Sequence, residues 1–178
     1  FYYVMLAVLL PLVFIAYPAL PRFRDRIPVW DMALALACFA LFGWFALISR
    51  TIMDGGWEYV APFHAKLAAL AAWGLVLEAT RRAGGMMLFA VCTIFSVYPV
   101  FGYLVPGFLN TPQNSWDFAA TFHVFGTESI VGMPTSMFGT LIIGYLLFGV
   151  ALAGTGGGKF FINFAFALLG HMRGGPAK

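Results

Sequence analysis

YYVMLAVLLPLVFIAYPAL (Tyr2–Leu20) contains no charged residue, and its length is close to the ~20 residues that cross a bilayer as a helix. Three further apolar runs follow in close succession: DMALALACFALFGWFALIS (Asp31–Ser49), VAPFHAKLAALAAWGLVL (Val60–Leu77) and AGGMMLFAVCTIFSVYPVFGYLV (Ala83–Val105). A fifth runs from Pro134 to Gly154, and charge is confined almost entirely to the turns between these runs. This pattern predicts an all-α fold: a polytopic integral membrane helical bundle of about five transmembrane helices, with short amphipathic helices at the interface.

Composition agrees. Hydrophobic residues make up 62% of the chain and charged residues 10%, against roughly 25% charged in a soluble domain. The net charge of +3 comes from only ten Lys and Arg with no long basic run, which excludes a nucleic-acid surface. Cys38 and Cys92 each lie well inside an apolar run, where a cysteine acts as a small buried hydrophobe.

Orientation follows from where the basic residues fall, because short loops rich in Lys and Arg stay on the cytoplasmic side. Arg22, Arg24 and Arg26 occupy the first loop, Arg81 and Arg82 the third, and Lys159 follows the fifth run. The five arginines are the topology determinants. The intervening loops hold Arg50 with Asp54 and Glu58, then Asn110 to Asp117 without a basic residue, and are placed outside. Tyr2, Tyr3, Trp57, Tyr59, Tyr103 and Trp116 then mark the outer headgroup level, with Tyr17 and Trp30 at the inner one. Pro11 and Pro99 interrupt the first and fourth runs and predict kinks there, whereas Pro62 falls in a first turn.

Near Gly107 the character of the chain changes. Phe108 to Asp117 is polar and rich in turn formers, which suggests a boundary between residues 1–107 and 108–178. Phe118, Phe122 and Phe125 then recur at helical spacing with Thr121 and His123 between, a pattern suited to a short interfacial helix. Phe160, Phe161, Phe164 and Leu168 form a similar stripe ahead of His171 and Arg173. The chain opens at Phe1 in an apolar run without a leader pattern. It closes on Arg173 to Lys178, which reads as a turn into something further, so a longer polytopic protein is expected.

Few residues carry chemistry. Gly154 to Lys159 invites a phosphate-loop reading, but Ala153 stands where the first Gly is needed and Phe160 where Ser or Thr is needed. A break ending the fifth helix is preferred. Gly139, Gly144, Gly149 and Gly154 recur every five residues, consistent with close packing by successive neighbours or with a locally broken helix. His64 and Lys66 are the ionisable groups well inside a run, and intramembrane ionisable groups are pathway candidates by default. Lys66 is about two turns down, where its ammonium snorkels or makes an interhelical polar contact, and His64 sits nearer the surface. Glu128, just before the fifth run, is the third polar or pathway candidate, with a helix start or a hinge contact as its plain reading. No catalytic triad, metal cluster or redox pair emerges, so no enzyme, cofactor or metal site is expected.

Several words in the chain resemble one family. VLEATRR (Val76–Arg82), YLVPG (Tyr103–Gly107), TESIVGMP (Thr127–Pro134), FFI (Phe160–Ile162) and RGGPAK (Arg173–Lys178) are similar, in this order, to the fused permease of tripartite ATP-independent periplasmic (TRAP) transporters. Within that family the words most resemble the subgroup served by TAXI-type solute-binding proteins. Departures are the Gly156 to Lys159 stretch and Ser129, where the family usually has Gly. The resemblance implies that residues 1–107 are a small four-helix subunit region and residues 108–178 the start of the large transport subunit. It further implies import of small organic acids (carboxylates) by a secondary active symporter in a bacterial or archaeal cytoplasmic (inner) membrane. The coupling ion, sodium or proton, and the substrate would bind outside this stretch. The partners implied are the periplasmic binding protein, the rest of the large subunit and lipid. A non-transporting membrane anchor or assembly subunit is the alternative from the residues alone.

Overall fold

The structure, a computed structural model, describes residues 1–19 and 28–169. Arg22, Arg24 and Arg26, with His171, Arg173 and Lys178, lie outside the described residues. All regular structure among the described residues is helical. It divides into two compact units, Phe1–Ser136 and Met137–Lys178.

In the first unit, α1 (Tyr2–Ala16) stops where Tyr17 precedes Pro18, because the proline ring disfavours a helical residue before it. Pro11 lies inside this helix and is buried. Pro28, extended at ψ 150°, opens α2 (Val29–Leu47), which puts Asp31 in the first turn. A short α3 (Ser49–Asp54) follows the break at Ile48. Then Pro62 starts α4 (Phe63–Phe101), which takes in both the third and fourth apolar runs.

The long helix is not straight. Gly85 has φ 79° and ψ 177°, a conformation that L side chains rarely adopt. Trp73, twelve residues before it, donates its indole Nε1–H to the hydroxyl of Ser96, eleven residues after it. A straight helix would hold residues 23 apart at a distance of about 35 Å. The two arms therefore fold back on each other about Gly85. This corrects the expected loop at Glu78 to Arg82, because the first arm runs on as helix through those charges and turns only at the glycine pair.

The core lies where α1, α2, the first arm of α4 and α5 (Trp116–Phe125) meet, around Phe14, Phe42, Phe45, Cys38, Ala120 and Val124. Ala65, Ala69 and Ala72 are fully buried at helical spacing. Small residues in such a row let backbones approach closely, and in lipid this packing is the main attraction between helices. Ser115 caps α5 by accepting from Phe118 N–H at 3.4 Å, and the Tyr3 hydroxyl donates to the Val124 carbonyl at 3.2 Å. Cys38 packs in the core and both cysteines are free thiols.

In the second unit, a π-helical turn (Phe138–Ile142) leads into α7 (Ile143–Gly154), and α6 (Met133–Met137), whose last residue is the first of this unit, begins the same apolar stretch. Gly156, with φ 76°, turns the chain from α7 into α8 (Gly157–Leu169). The glycine run is thus a helix-ending turn. Among the described residues, three helical stretches are long and apolar enough to cross a membrane: Val29–Leu47, Phe63–Leu104, which contains the hairpin, and Met133–Gly154.

Candidate functional site

Three polar clusters among the described residues of the first unit each join elements distant in sequence. The deepest centres on Asp31 and Arg82. Their side chains are 0% and 3% exposed, and Arg82 Nη1 lies 2.7 Å from Asp31 Oδ1. Arg82 Nε donates to Glu78 Oε1 at 2.7 Å, and Nη1 donates to the Tyr17 carbonyl at 3.4 Å. The guanidinium also stands 4.9 Å over the Phe14 ring. Asp31 Oδ2 in turn accepts from the Ala19 N–H at 3.2 Å. Arg81 holds the outer side of Glu78 with two hydrogen bonds, at 2.8 and 2.7 Å. One carboxylate from α2 and one guanidinium from α4 thereby fix the end of α1 as well.

A second cluster joins α4 to α5. Lys66 Nζ lies 2.6 Å from Asp117 Oδ2, and both side chains are about one-third exposed, at 37% and 36%. The Lys66 ammonium, and after it the Ser115 hydroxyl, hold the Asp117 carboxyl down at about 2. His64 is exposed, with its ring 6.2 Å from Trp44 and 5.9 Å from Trp57. Glu128 is exposed in the turn after α5. His64, Lys66 and Glu128, the pathway candidates, are therefore not brought together into one site.

The third cluster surrounds His123, whose Nε2 lies 2.7 Å from the Ser96 carbonyl and whose Nδ1 lies 3.4 Å from the Ser129 hydroxyl. Its ring is 5.4 Å from that of Trp73. In the second unit, Thr140, Leu141, Gly144, Tyr145 and Phe148 line an open, mostly apolar groove. No cluster of metal-ligating side chains occurs among the described residues.

A helical chain built for a membrane, with its buried charges paired between helices, meets one known sequence pattern. The family model described as tripartite ATP-independent periplasmic transporter, DctM component, matches residues 71–178. The chain belongs to this family. It is a multi-pass membrane permease component of a TRAP transporter, and its family implies work alongside a periplasmic binding protein and other subunits. The family is one of transporters, not enzymes. No curated protein and no solved structure matched the chain. The match begins inside the first arm of the α4 hairpin and takes in α5 and the second unit.

Asp31, Glu78, Ser96, His123 and Asp117 do not stand out as site residues in the sequence. Asp31 and Arg82 carry a usable signal: an acidic residue at the start of one apolar run and a basic residue at the end of another, on the same side of the membrane. The His123–Ser96 pairing has none, since it depends on the hairpin.

Proposed function

We propose that residues 1–178 form the stationary scaffold of a secondary active TRAP permease that imports small organic acids (carboxylates) across a bacterial or archaeal cytoplasmic membrane. A sodium or proton gradient drives the import, and a TAXI-type binding protein delivers the substrate. Residues 1–107 act as the small-subunit region and 108–178 as the opening of the large subunit, with substrate and coupling ion bound elsewhere in the transporter. The observation that carries the scaffold reading is the Asp31–Arg82–Glu78 network. The most buried charges here are engaged with one another and with a backbone carbonyl and N–H, as a rigid frame requires. A substrate site would instead leave such groups open to a ligand.

The test is uptake of labelled carboxylates into proteoliposomes holding the complete permease, with a TAXI-type binding protein outside and an imposed sodium or proton gradient. Uptake is expected to need both the gradient and the binding protein, and no ATP. Single cysteines placed along α1, α2 and α4 are expected to keep the same thiol reactivity with and without substrate. Substrate protection of any of them would overturn the scaffold assignment, and gradient-independent uptake would overturn the secondary-active one.

A further inference from the structure

The turn between α5 and α6 is held from several directions. Thr127 N–H donates to Glu58 Oε2 at 3.4 Å, and Ile130 N–H donates to the His123 carbonyl at 3.2 Å. The Thr135 hydroxyl donates to the Ile130 carbonyl. A Cβ on Gly132 would stand 2.7 Å from the Thr127 carbonyl oxygen and 2.9 Å from that of Ser129, both backbone atoms that cannot step aside. This wound turn leads the chain into α6, and one side chain ties it to the hairpin. His123 reaches Ser96 with Nε2 and Ser129 with Nδ1.

Hydrogen-bond logic fixes the roles. The Ser96 carbonyl only accepts, so Nε2 carries the proton and donates to it; in the neutral ring Nδ1 is then an acceptor for the Ser129 hydroxyl. The accepting carbonyl lies one turn before Pro99, which has no N–H to give the Phe95 carbonyl its usual donor. Trp73 packs against the imidazole and donates to Ser96 from the other arm. His123 is thus the point where both arms of the hairpin, α5 and the following turn meet.

We propose that His123 is a positioning residue of the permease: it locks the Thr127–Gly132 turn to the α4 hairpin and so sets where the chain enters α6. The proposal rests on the scaffold reading. It uses the imidazole as a donor and acceptor of suitable reach and not as a proton carrier, so a glutamine, whose amide offers the same pair of functions, replaces it.

The test compares His123→Leu and His123→Gln in the complete permease by amide hydrogen exchange and by uptake with its binding protein. In His123→Leu, exchange across 127–132 is expected to rise at least tenfold while the Ala65–Ala72 stretch is unchanged. The maximal uptake rate should fall several-fold with an unchanged KM for the loaded binding protein. His123→Gln should restore both. Unchanged exchange in the leucine variant would overturn the positioning role and leave the scaffold reading standing. Loss of uptake in the glutamine variant with a normal turn would assign the imidazole to the transport pathway and overturn both. Should His123→Leu fail to accumulate in the membrane, Ser129→Ala serves in its place, since it removes only the Nδ1 partner. A several-fold rise in exchange confined to 127–132 supports the lock, and no rise overturns it.

Discussion

Removing Arg82 should cost more than removing Asp31, although the two face each other across one 2.7 Å contact. Two unit charges about 4 Å apart attract by about 4 kcal/mol at an effective dielectric near 20, and desolvation offsets much of this for an intact buried pair. Single removal exposes the desolvation without the attraction, at about 3–5 kcal/mol. Arg82→Gln leaves the fully buried Asp31 carboxylate with the Ala19 N–H as its remaining described donor, so its cost should fall in that range. Asp31→Asn leaves the guanidinium on Glu78 Oε1 and the Tyr17 carbonyl, so its cost should be nearer the 1.5–3 kcal/mol of a charged hydrogen bond, about 2 kcal/mol. The double variant Asp31→Asn/Arg82→Gln should be less destabilised than the sum of the two by about 2 kcal/mol or more. Unfolding free energies of the four proteins in one lipid or detergent condition supply the cycle. Additivity within about 0.5 kcal/mol would show that the two residues are not coupled and would refute the picture of a shared network.

Gly85→Ala should destabilise the hairpin by about 1–3 kcal/mol through its positive φ, whereas Gly84→Ala should cost less because its Cβ would meet only the Leu88 side chain, whose Cδ2 must swing away and whose Cβ and Cγ must give slightly; equal melting shifts for the two would contradict the turn at Gly85. The Asp117 carboxyl is held at about 2, below its ordinary 3.8, so its contribution is present above about pH 4 and is lost as pH falls through about 2. That contribution is about 0.2–1 kcal/mol for so exposed a pair, and the protection of the α5 amides relative to their intrinsic exchange rate at each pH should therefore stay flat from pH 7 to 4 and fall below pH 3. Lys66→Met should leave uptake by the complete permease largely intact, since the apolar stem remains; abolished uptake at normal membrane abundance would make Lys66 a pathway residue. A reporter placed after Arg82 should be cytoplasmic and one within Asn110 to Ser115 periplasmic, and the reverse pattern would sink the proposed orientation.

The helices are legible in the sequence because hydrocarbon imposes a length and an apolar content that any window of residues displays. Legibility fails where neutralisation comes from a distance. Glu78, Arg81 and Arg82 read as a loop because three charges so close together look expensive in lipid, yet Arg82 is matched by Asp31 from another helix and Glu78 by its own i+3 and i+4 arginines. The short helix expected from Phe118 is present and begins two residues earlier, behind the Ser115 cap. Its His123 shows in the sequence only as a polar break among phenylalanines, because its partner Ser96 lies on the far arm of a hairpin that apolar periodicity cannot reveal. Lys66 stands out as an ionisable group in a run, but its acceptor Asp117 is 51 residues away.

The turn at Gly85 also bears on biogenesis. With no linker between the arms, the first arm can complete its polar contacts only after the second has left the ribosome, because Trp73 finds Ser96 only when the chain has been made well past the glycine pair. Until then the indole N–H sits in an apolar setting without that acceptor, and an unmade hydrogen bond of this kind costs about 1–3 kcal/mol. A nascent chain that ends near Arg82 therefore lacks this acceptor, whereas one that has emerged beyond Phe101 can supply it. The two arms are in effect a single insertion event, since the contact that closes the hairpin draws one partner from each.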